Sequence, residues 1–81
     1  MQNFAWRFIP IAMTIIRVGN LGKNLRKART RLGLTQEQVA ERSGVQAGEV
    51  SRIEHGKRDP QASTIEKLAA AVELPPGRLF D

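Results

Sequence analysis

Apolar residues recur along most of this chain at the three- and four-residue spacing of amphipathic helices, with glycine or proline at the breaks. Leu21, Leu25, Ala28 and Leu32 share one face of a first helix that ends at Gly33, with Arg31 in its last turn. Thr35 followed by Gln38 reads as a capping box, which starts a second helix at Gln36 and puts Glu37 in its first turn. A third helix runs from about Ala47 to His55 and stops at Gly56. Ile65, Leu68, Ala69 and Val72 predict a fourth, begun after Pro60. Leu74, Pro75 and Pro76 open a last short helix, with Pro76 suited to a first helical position, and Leu79 and Phe80 close the core. The expectation is an all-α domain of five helices over residues 21–81.

Residues 1–20 follow a different pattern. They are apolar and β-branched, and Ile11, Met13 and Ile15 alternate with a period of two, which reads as a strand. A lone strand finds no partner inside a small helical domain. It would pair with its copy in a second subunit or lie over the core as an arm. A disordered tail, or a natural start at Met13, fits the same residues. Arg7 and Pro10 interrupt the stretch and Arg17 ends it, so it is too short to span a bilayer. It also lacks the charged start and cleavage site of a secretory signal.

The second and third helices meet across one glycine, the arrangement of a helix-turn-helix. Ala40 must be small where the third helix crosses the second. Gly44 falls just past the second helix, where a left-handed cap favours glycine. Val50 points back into the angle between the helices, and Val39, Val45 and Ile53 fill the same pocket.

Charge sharpens the reading. The 81 residues carry a net charge of +5, no acidic residue precedes Glu37, and Lys23, Arg26, Lys27, Arg29 and Arg31 form a basic block beside the motif. Such a block suits a polyanion, and phosphate neutralisation is the sequence-independent part of DNA affinity. There is no cysteine, which excludes disulfides and thiolate metal sites and fits a reducing cytoplasm. The single histidine, His55, cannot build a metal site and reads as an exposed last-turn residue. No nucleophile–base pair, metal cluster or phosphate-cradling loop is visible, so neither an enzyme nor a cofactor is expected.

At this point the sequence resembles the lambda-repressor-like, Cro/CI-type (XRE) helix-turn-helix family. The likeness rests on Leu32-Gly33-Leu34-Thr35-Gln36-Glu37, Gly44-Val45, the run from Val50 to Pro60, Thr64-Ile65 and Leu79-Phe80. It covers residues 21–81. The resemblance implies a five-helix fold and a transcription factor that binds palindromic double-stranded operators as a homodimer. It implies that Gln36 binds a phosphate, as the amides of a helix start favour, and the cap Thr35 beside it is a second phosphate-binding candidate. It implies that Arg29 and Glu54 form a scaffold charge pair, and that Lys57 and Arg58 touch the DNA backbone.

The third helix is then the one that enters the major groove. Its start departs from the family. Gln46 stands where a serine or threonine cap is usual, and Ala47 and Gly48 replace longer reading side chains. Ala47 suits a thymine methyl. Gly48 makes no side-chain contact, which leaves Gln36 without its usual bracing partner and makes it a base-reading candidate itself. Arg52, one turn after Gly48, is the strongest reader, because arginine pairs bidentately with guanine. Gln46 and Ser51 are secondary. Glu49 is expected to face away or to accept from a cytosine amino group. A rival reading is a protein-interaction module, such as an antitoxin whose main role is to hold a toxin, which the polar-poor start of the third helix and the apolar arm would suit.

Overall fold

The computed structural model describes residues 20–80. The apolar residues 1–19, on which the strand, arm and alternative-start readings fall, lie outside that range. Residues 20–31 form the first helix, α1. Gln36–Ser43 form α2, Ala47–Glu54 form α3 and Ala62–Ala71 form α4. The expected fifth helix is instead a single 3-10 segment, Pro76–Phe80. Pro75 and Pro76 offer no backbone N–H, and the segment is too short for a regular α-helical ladder. No strand occurs among the described residues.

The periodic positions become the core. Leu21, Leu25 and Ala28 of α1 are buried with Val39, Val50, Ile53, Ile65, Leu68, Ala69, Ala71, Val72 and Leu79. Ala40, Val45 and Phe80 pack against them, half-buried. Leu32 departs from the expected pattern. The helix ends one residue before it, and Leu32 is 39% exposed at the turn.

Capping explains the boundaries. Thr35 Oγ1 accepts from the Gln38 N–H at 3.0 Å, and Gln38 Oε1 accepts from the Thr35 N–H at 2.8 Å, closing the capping box. Gly44 takes φ 77°, and its N–H donates to the Ala40 carbonyl at 2.8 Å. Three other helix ends share one pattern. At the end of α1 the Gly33 N–H donates to Thr30 and the Leu34 N–H to Arg29; after α3, Gly56 and Lys57 repeat it with Ile53 and Arg52. After α4 the same pair of bonds runs from Glu73 to Ala70 and from Leu74 to Ala69. There the left-handed residue is Glu73, φ 62°, the one non-glycine with positive φ among the described residues.

Two close contacts place α1 on the rest. A methyl on Gly22 would lie 2.3 Å from the carbonyl oxygen of Ile53 and 2.9 Å from that of Glu54, so only glycine lets α1 meet the end of α3. Asn24 Nδ2 donates to the Leu79 carbonyl at 2.8 Å, tying α1 to the 3-10 segment across 55 residues.

Candidate nucleic-acid interface

The angle between α2 and α3 is held from beneath by one charged group. The Glu54 side chain is 2% exposed, and its Oε2 accepts from Arg29 Nε at 2.6 Å. Its Oε1 accepts from Arg29 Nη2 at 3.0 Å and from Gln36 Nε2 at 3.1 Å. Arg29 Nη1 completes the set by donating to the Leu34 carbonyl at 2.9 Å. The hydrogen bonds to Glu54 hold the Arg29 guanidinium above its ordinary pKa against the opposing effect of burial, with Glu37 adding a weaker attraction. The fork joins α1, the α1–α2 turn, the start of α2 and the end of α3.

This network changes the expectation for Gln36. Its bracing partner is Glu54 from below, not a residue at the start of α3. A carboxylate only accepts, so the Gln36 amide is turned with its nitrogen toward Glu54. One N–H and the amide oxygen remain for other partners. Gln36 is half-buried at the first position of α2, with Thr35 exposed just before it.

The start of α3 is sparsely furnished. Gln46 makes no side-chain cap bond, is exposed, and precedes half-buried Ala47 and exposed Gly48. Arg52 is exposed and lies back over this turn: a methyl on Gly48 would sit 3.7 Å from its Nη2. Ser51 is half-buried, and its carbonyl lies 2.8 Å from Nδ1 of the exposed His55. Lys57 and Arg58 are exposed in the loop after α3.

Glu49 does not face away from these groups. Its two carboxylate oxygens meet Arg52 at 3.3 Å and Arg58 at 3.0 Å. The Arg52 half was legible as an opposite-charge pair three residues apart on a helix. The Arg58 half needed the path of the loop. The basic block of α1 also divides: Arg29 turns inward to Glu54, whereas Lys23, Arg26, Lys27 and Arg31 are exposed.

Residues 25–79 match the helix-turn-helix (HTH_3) family model. The chain belongs to that family. It is a Cro/CI-type helix-turn-helix domain with the lambda-repressor-like fold, the DNA-binding fold of transcriptional regulators. It is 47% identical over 57 residues to the HTH-type transcriptional repressor RghR of Bacillus subtilis, a match spanning 69% of this chain and 42% of RghR. The restriction-modification controller protein C.AhdI of Aeromonas hydrophila superposes with a TM-score of 0.74 at 39% identity, covering 79% of this chain and 96% of C.AhdI. A hypothetical transcription factor from Neisseria, NHTF, gives a TM-score of 0.75 at 32% identity over 82% of this chain and 75% of its own. Among the described residues no helix of this helix-turn-helix domain is long and apolar enough to cross a membrane.

Proposed function

We propose that this protein regulates transcription by binding a specific double-stranded operator as a homodimer, with α3 in the major groove. The observation that carries the reading is the exposed guanidinium of Arg52, laid over a first turn of α3 that Gly48 leaves open. Exposed there, an arginine can pair bidentately with guanine. Ala47 meets a thymine methyl, and Gln46 and Ser51 supply secondary contacts to base edges. Thr35, Gln36, Lys57 and Arg58 bind phosphates on either side of the groove, with the Gln36 amide pre-set by Glu54. Two subunits set side by side would read half-sites roughly 34 Å apart, one helical turn, on a palindrome. The relatives agree in kind, one a named repressor and one a named controller protein.

Selection of bound fragments from a random duplex pool, followed by binding across a salt series, tests the reading. A regulator enriches one palindrome and loses affinity steeply with salt. Weak, unselective binding at every salt concentration would contradict it and favour a module that holds a protein partner, such as a toxin.

A further inference from the structure

Glu49 occupies the first turn of α3 and links two arginines on different elements, one on the same helix and one in the loop after it. Oε1 accepts from Nη1 of Arg52, three residues on along the same helix, at 3.3 Å. Oε2 accepts from Nε of Arg58, nine residues on in the following loop, at 3.0 Å. The carboxylate is the sheltered member, 22% exposed against 58% and 59% for the arginines. The carboxylate is therefore the better-packed partner, and the two guanidinia stand out in solvent around it.

Stability is a poor account of this bridge. Ion pairs at such exposure contribute little to folding, because solvent screens them and ordering two long side chains opposes them. A carboxylate beside the proposed groove also repels phosphate, which lowers general affinity for DNA. What the bridge does supply is order. Arg52 and Arg58 each have many rotamers, and a partner that holds them before binding removes that ordering from the association step. Gly48 serves the same end. The space over it is taken by Arg52, and a long side chain there would compete for the position.

We propose that Glu49 is a positioning residue for recognition, holding the base-reading Arg52 and the backbone-contacting Arg58 in register as one surface. It trades part of the chain's general attraction to DNA for discrimination between sequences. This inference rests on the DNA-binding function proposed above.

The test compares binding to two probes: the duplex that the unaltered chain enriches from a random pool, and a random-sequence duplex of equal length. In Glu49→Ala the affinity for the random duplex rises and the ratio between the probes falls by up to about tenfold, the effect of one base-reading side chain that must be ordered on binding. Glu49→Gln keeps the shape but offers an acceptor to one arginine only, and its ratio falls between the two. In an Arg52→Ala background the further effect of Glu49→Ala on the ratio disappears, since the two act through one contact. A mere loss of stability would weaken binding to both probes and leave the ratio alone. An unchanged ratio in both Glu49 variants overturns the inference, as does a loss that persists in full without Arg52, which would mark an independent contact from Glu49 to a base. A chain that enriches no duplex at all overturns the DNA-binding function, and the inference falls with it.

Discussion

Glu54 receives the guanidinium of Arg29 as a two-point fork, Nε on one carboxylate oxygen at 2.6 Å and Nη2 on the other at 3.0 Å. The pair sits between α1 and the end of α3, nearly out of solvent. Removing one partner strands the other's charge in a place built for two, which typically destabilises by roughly 3–5 kcal/mol. Arg29→Ala and Glu54→Ala should each lower the unfolding free energy by that amount in urea titrations. The double variant Arg29→Met/Glu54→Leu should recover the larger part, because an apolar pair leaves no charge unmatched.

Gly22 is the steric counterpart of that pair. A methyl there meets backbone oxygens, which cannot rotate aside as a side chain can. Gly22→Ala should destabilise by about 1–3 kcal/mol through separation of α1 from α3, despite the better helix propensity of alanine. Thermal unfolding gives the comparison directly.

Glu73 holds a left-handed conformation at the end of α4 that glycine holds at the ends of α1 and α3. A side chain in that region costs about 1–2 kcal/mol relative to glycine. Its ion pair with Arg42, 3.5 Å apart and exposed on both sides, offsets little of this. Glu73→Gly should therefore stabilise the domain by about 1 kcal/mol, read as a shift in the urea midpoint at constant slope.

Gly48 is different from both. A methyl there makes only ordinary contacts with Arg52, at 3.7 and 4.0 Å, and the backbone is helical. Gly48→Ala should raise stability by up to ~1 kcal/mol. Gly48→Arg should instead displace Arg52 and shift the enriched DNA sequence in a repeated selection.

These residues also mark what could be read before folding. The Thr35–Gln38 capping box, the Gly44 cap and the core stripes of α1 and α4 were legible because each depends on neighbours a few residues away. The pairing of Arg29 with Glu54 came through the family resemblance. Gly22 and the Asn24–Leu79 bond were not legible, since their partners lie in distant segments. Leu32 looked like core because periodicity does not mark the residue at which a helix stops. Glu73 gave no signal because glutamate is not a turn former, and the turn is closed by backbone bonds from Glu73 to Ala70 and from Leu74 to Ala69. At the interface, the sequence pointed to Arg52, Gln36, Lys57 and Arg58. It hid two long-range bonds that hold them, from Gln36 to Glu54 and from Arg58 to Glu49.

The most direct measurement sets Arg52→Ala beside Lys57→Ala, each bound to the enriched duplex and to a random one over a range of salt. If α3 reads bases and the following loop grips phosphate, Arg52→Ala should lower the ratio of the two affinities by a factor corresponding to about 1–3 kcal/mol. Lys57→Ala should weaken both duplexes alike and reduce the salt dependence by about one phosphate contact. An Arg52→Ala protein that keeps the original ratio would contradict the assignment of Arg52 as the base reader.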